Sequence, residues 1–140
     1  MKSAKEFIPH REPFLFVDRI VEIDEEHAVT EFEVRESLDF FRGHYPGNPI
    51  MPGVILCESV FQTAAVFLNA IQGERAGEGT PVLTRITNAR FRRMVAPGET
   101  IRCEVRPDET HGAVHFMRGS VRNRDGKTVM NVDFSITRQA

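Results

Sequence analysis

Cysteine is scarce in this chain: Cys57 and Cys103 are the only two in 140 residues. Neither stands in a CxxC pair or at a Cys/His ligand spacing, so no metal ribbon or redox pair is indicated. Cys57 falls inside an apolar run and reads as a small buried hydrophobe. A reducing, cytoplasmic setting is the expectation. The opening MKSAKEFIPHREPF has no apolar h-region, so no signal peptide is expected. An uninterrupted membrane-length run is also missing. The most apolar stretch, Val54 to Ile71, carries Glu58, Ser59, Gln62, Thr63 and Asn69, and reads as a buried helix rather than a span. Positive charge is not in excess: 18 Lys+Arg face 20 Asp+Glu, giving a net charge of −2. Nucleic acid and membrane are therefore not expected partners, although a local basic patch can still meet an acidic one. Repeats and low-complexity segments are absent, and the one candidate linker is Gln72–Pro81.

What is present is ordinary for a globular protein, with 41% apolar and 27% charged residues. A chain of this length suggests one domain, 1–140, able to bury a core without covalent staples. Strand-like segments are Phe14–Asp24, His27–Glu36, Val82–Met94, Thr100–Arg106, Ala113–Arg122 and Thr128–Ile136. The turns between the last four are APGET, PDETHG and NRDGK. A helix is predicted from Gly53, just after Pro52, to a stop at Gly73. Val60, Phe61, Ala64, Ala65, Phe67, Leu68 and Ile71 leave it little polar face, so its neighbours must enclose it. Two strands, one enclosed helix and four strands predict an α+β domain with a curved antiparallel sheet.

Glu58 is the outlier. A carboxylate in an apolar helix must pair, protonate or reach water. Two readings stand, a structural ion pair and a functional carboxyl. Gln62, four residues on, shares its helix face and is placed to hold it. His44 sits in GHYPGNP, where flanking proline and glycine restrict the backbone; it is either a surface histidine or an oriented acid–base group. Gly53 opens the helix, where unpaired N–H groups and the macrodipole suit an oxyanion, though every helix has such an end. Together these residues suit proton abstraction beside the carbonyl of an apolar substrate.

The stretch Gly43-His44-Tyr45-Pro46-Gly47-Asn48-Pro49-Ile50-Met51-Pro52-Gly53-Val54, followed by Glu58 and Gln62, resembles the 3-hydroxyacyl-acyl carrier protein dehydratases of the FabZ type. IPHREPFLFVDRI and NARFRRMVAPGETI are similar to two further stretches of that family. The resemblance implies a hotdog fold, one long helix wrapped by an antiparallel sheet. It implies a homodimer, commonly built into a trimer of dimers, with the histidine of one subunit facing the glutamate of the other. His44 and Glu58 are then the catalytic pair, and Gly53 with Val54 bind the thioester oxygen. Phe40, Phe41, Met51 and Phe61 are candidates for the acyl tunnel. No metal or other cofactor is implied, because the substrate arrives on the phosphopantetheine of acyl carrier protein. Arg90, Arg92 and Arg93 form a basic cluster that either meets that acidic carrier or is a solvated strand face.

The chain departs from the family pattern at Tyr45 (usually Phe), at Ser59, Val60 and Phe61, at Met94 (often Pro), and at Asn131 and Asp133. Phe61 bears on chain length. Glutamate at 58, in place of aspartate, favours a dehydratase without isomerase activity. His111 and His115 are four apart but flank a turn, so no metal site is expected. His10 and His27 read as structural or exposed. The alternatives are a hotdog acyl-thioester hydrolase and a non-catalytic acyl- or carrier-binding relative.

Overall fold

The computed structural model describes residues 2–72 and 80–139. Its sheet has seven strands: β1 (Lys2–Ser3), β2 (Arg19–Ile23), β3 (Ala28–Glu33), β4 (Thr80–Phe91), β5 (Thr100–His111), β6 (Val114–Arg122) and β7 (Thr128–Gln139). Their spatial order is β1-β2-β3-β5-β6-β7-β4, and every neighbouring pair is antiparallel. Two helices, α1 (Phe40–Gly43) and α2 (Gly53–Gln72), follow β3. Gly73, the expected helix stop, lies outside the described residues, as does most of Gln72–Pro81.

The 20-residue helix α2 packs on β3, β4, β5 and β6. Leu56, Val60, Ala64, Phe67 and Leu68 meet Phe32, Ile101, Val105, Met117, Val132 and Phe134 in the main core. The sheet curves around the helix and stays open: a hotdog. At Gly119 of β6 the helix presses on the sheet, and an added Cβ would overlap Val60 Cγ1. The helix is long and apolar enough to cross a membrane by composition alone, yet most of that stretch is buried in the fold. Its polar residues serve packing. Thr63 meets Thr30 of β3 hydroxyl to hydroxyl at 2.8 Å, and Asn69 donates to Phe7 O at 2.7 Å.

Two predicted boundaries are corrected. The strand expected over Phe14–Asp24 joins the ladder only at Arg19. Before that, helix side chains take the backbone groups: Phe16 N–H donates to Gln62 Oε1 at 2.8 Å, and Ser59 Oγ donates to Phe16 O at 2.9 Å. The turn expected over PDETHG is instead strand. A bulge between Pro107 and Glu109 absorbs the proline, and β5 runs on to His111. The reversal then falls on Gly112, at φ 61°.

The two sheet edges differ. β1 is two residues long, whereas β4 is twelve, almost wholly exposed, and pairs only with β7 among the described residues. Leu83, Ile86 and Phe91 stand exposed along it.

Candidate active site

His44 caps the C-terminus of the short helix α1 in an extended conformation. The next residue, Tyr45, has φ 48°, a left-handed backbone without glycine. Its ring lies 4.5 Å from the imidazole, centroid to centroid. Asn48 N–H closes a turn on Tyr45 O at 2.8 Å, and Met51 N–H ties the loop to Val95 O at 2.8 Å. Within this frame His44 Nδ1 lies 3.0 Å from Ile50 O. A carbonyl only accepts, so Nδ1 carries a proton, and in the neutral ring the lone pair is on Nε2. The loop therefore fixes both tautomer and orientation.

Pro52 O accepts from Ile55 and Leu56 N–H at 3.0 and 3.1 Å, which starts α2. The N–H groups of Gly53 and Val54 precede the first intrahelical donors, and the Val54 side chain is 75% exposed. Gly53 also serves packing, because an added Cβ would stand 2.9 Å from the Phe91 ring.

One turn further on, Glu58 is half-buried and receives a hydrogen bond from Gln62 Nε2 at 3.0 Å. Gln62 is itself buried and fixed by Phe16 N–H and Phe14 O. Burial pushes the Glu58 carboxyl above the usual glutamate range; the Gln62 hydrogen bond and the nearby charge of His10 oppose that rise. Such a carboxyl holds its proton to higher pH, as a general acid requires. It faces a cavity of about 160 Å³ lined also by His10, Phe61, Gln62 and Leu83. His44 does not line this cavity.

The four tunnel candidates do not share one channel within a single chain. Phe61 packs on Phe134 with centroids 4.9 Å apart and belongs to the Glu58 cavity. Phe40 lines a separate apolar groove of about 520 Å³ with Phe14, Phe16, Leu38 and Ile55. Phe41 and Met51 are buried in the main core. Arg90, Arg92 and Arg93 are exposed on and just after β4. Arg92 donates to Asn131 Oδ1 at 3.2 Å and Arg93 to Thr128 O at 2.6 Å, so both are partly committed to their own sheet. His111 and His115 lie on adjacent strands, bonded to Glu109 and Thr110 respectively. Among the described residues no cluster of three or more His, Cys, Asp or Glu is placed to hold a metal.

His10 is the residue that sequence reasoning passed over. Its proline-flanked segment reads as structural or exposed, yet it lines the same cavity as Glu58. Its 48-residue separation from Glu58 gave no spacing signal.

The FabA-like domain family matches residues 8–133. The chain is 38% identical over 127 residues to a 3-hydroxyacyl-[acyl-carrier-protein] dehydratase FabZ of Clostridium perfringens, covering 91% of this chain and 89% of that one. The chain belongs to the FabA-like family, among the FabZ dehydratases. Among solved structures, the dehydratase heterocomplex ApeI:P from Xenorhabdus doucetiae superposes with a TM-score of 0.85 at 14% identity, covering 100% of this chain and 93% of that one. A hypothetical thioesterase with coenzyme A from Streptococcus pneumoniae superposes at 0.68 and 13% identity, covering 87% and 85%. These likenesses show the fold alone, and the sequence family together with the site must decide the chemistry.

Proposed function

We propose that this protein is a (3R)-hydroxyacyl-acyl carrier protein dehydratase, a hydro-lyase that forms trans-2-enoyl thioesters in fatty acid biosynthesis. The observation that carries the reading is Glu58: a carboxyl held by Gln62, raised in pKa by burial and facing a small cavity. Hydrolysis of a thioester needs a base for water attack at the carbonyl, whereas dehydration needs an acid for the leaving hydroxyl, and burial shifts Glu58 in the direction of the acid.

In the reaction, His44 Nε2 takes the C2 proton of the thioester. Negative charge develops on the thioester oxygen and is met by the N–H groups of Gly53 and Val54 at the start of α2. Glu58 gives its proton to the C3 hydroxyl as the C3–O bond breaks, so water leaves and the C2=C3 double bond forms. No cofactor beyond the carrier's phosphopantetheine takes part.

The site is completed by a second copy of the chain. His44 and Glu58 occupy different places within one chain, and β4, an edge strand among the described residues with Leu83, Ile86 and Phe91 exposed, borders the Glu58 cavity, to which it contributes Leu83. Pairing of β4 with its counterpart satisfies that edge and brings the second copy's His44 to Glu58. Arg92 and Arg93, beyond the end of the strand, are the surface offered to acyl carrier protein, with Arg90 beside them. The chain is read as one domain working in the cytoplasm.

The test is mass spectrometry of (3R)-hydroxyacyl-carrier substrates of several chain lengths. Loss of one water per substrate, abolished by His44→Ala, is expected. Release of free thiol without loss of water would show a hydrolase instead.

A further inference from the structure

Glu58, Phe61, Gln62 and Ala65 stand at positions i, i+3, i+4 and i+7 of α2, so a single stripe of the helix lines the Glu58 cavity. Val82 and Leu83 of β4 and Ile136 of β7 form the facing wall. Apart from His10, Glu58 and Gln62 the lining is apolar, and it encloses about 160 Å³. Phe61 closes the cavity on the side of the core. Its ring is buried and packs on Phe134 with centroids 4.9 Å apart. Phe134 lies in the main core and does not line the cavity, so the Phe61 ring stands between the two. A close-packed interior leaves that ring little room to withdraw.

The dehydration step sets where a substrate lies. The carbon that bears the leaving hydroxyl must sit against Glu58, so the acyl tail from the next carbon onward starts in this cavity. The larger groove along Phe40 and Ile55 is not lined by Glu58, so the tail does not begin there. The cavity volume matches roughly five waters at about 30 Å³ each. A methylene is of similar size, so the hydroxyl and about four tail carbons fill the space. We infer that Phe61, backed by Phe134, is a specificity-determining residue: its ring is the floor of the acyl pocket and restricts turnover to short 3-hydroxyacyl chains, up to about eight carbons. The inference rests on the dehydratase reading and deepens it to a substrate class. Each methylene that the pocket buries favours binding about fourfold, whereas one driven against the floor meets a packed core.

The test measures kcat/KM for (3R)-hydroxyhexanoyl- and (3R)-hydroxytetradecanoyl-carrier substrates. In wild type the longer chain is expected to be at least about tenfold poorer, the cost of overfilling a packed site. Phe61→Ala deletes the floor, and Phe61→Met keeps its bulk on an unbranched chain that bends aside. Both should raise the long-to-short ratio, Phe61→Ala by about tenfold or more and Phe61→Met by less. The ratio is read within one preparation, so any fraction that fails to fold cancels. If Phe61→Ala yields no folded protein, Phe61→Met decides alone. Phe32→Leu shrinks a main-core ring that does not line the cavity, and should lower the melting temperature but leave the ratio where it is. A second readout, calorimetric binding of saturated hexanoyl- and tetradecanoyl-carrier, should show the same shift in the ratio of Kd values. A wild type that dehydrates both lengths equally, a ratio unmoved in the Phe61 variants, or the same shift in Phe32→Leu would overturn the inference while the dehydratase reading stood. A wild-type protein that releases no water at either length would overturn both.

Discussion

The two halves of the candidate site are built in opposite ways. His44 stands on a surface loop whose order comes from backbone: prolines, a left-handed Tyr45 and one hydrogen bond from the ring to Ile50 O. Glu58 stands on the core helix, and its order comes from burial and from Gln62. A base needs access and a fixed tautomer, which a stiff loop provides at little cost to the core. An acid active at neutral pH needs desolvation, which only the interior provides and which works against folding.

That contrast breaks most visibly in a pair of variants. His44→Ala and Glu58→Gln should each lower dehydration at least about a hundredfold, the usual scale for an acid–base group. Their stabilities should diverge. The raised pKa of Glu58 means that its charged form is penalised in the folded protein. Below the ordinary glutamate range the group is neutral in both states and costs nothing. The penalty grows as pH rises through the folded value and is complete above it. Glu58→Gln should therefore melt higher than wild type at pH 7 and much the same as wild type at pH 4, whereas His44→Ala removes no buried carboxyl. Calorimetry at the two pH values decides; a Glu58→Gln protein less stable than wild type at pH 7 would remove burial as the cause.

Gln62 sharpens the comparison from the structural side. It joins the acid to the N-terminal segment through Phe16 N–H, Phe14 O and Glu58. Gln62→Leu keeps the bulk and deletes all three bonds, leaving buried backbone groups unpaired. A loss of about 2–4 kcal/mol is expected in denaturant unfolding. A loss below about 1 kcal/mol would mean that water replaces the amide and that Phe14–Phe16 is held by packing alone.

These same residues mark where sequence was and was not legible. The helix, the order of the long strands and the Glu58–Gln62 spacing follow from local periodicity, and so could be read directly. The 14–18 segment was misread because its apolar, β-branched composition looks like a strand, while its backbone partners are side chains more than forty residues away. The end of β5 was misread because proline and glycine signal a turn, whereas a bulge accommodated the proline. His10 was missed because its place in the Glu58 cavity depends on how the N-terminal segment crosses the helix, and no spacing rule encodes that crossing.

The smallest effect concerns a second group with a raised pKa, and its sign is reversed. His27, in the turn between β2 and β3, lies 2.9 Å from Glu22 and 3.0 Å from Asp24. The Glu22 hydrogen bond, with help from the charge of Asp24, lifts it above the ordinary histidine value against the effect of burial. For histidine the protonated form is the charged one, so here a raised pKa records a favourable ion pair. Its contribution is complete below pH 6.5 and is lost as pH rises through the folded value. Glu22 is 64% exposed, so the pair is worth at most about 1 kcal/mol. His27→Gln should cost that much at pH 5.5 and nearly nothing at pH 9, with activity unchanged at both. An equal cost at the two pH values would assign the loss to packing of the ring. Both variants gain on wild type as pH rises, Glu58→Gln from no difference to a gain and His27→Gln from a loss to no difference; the sign of the stability difference then separates a charge that the fold excludes from one that it recruits.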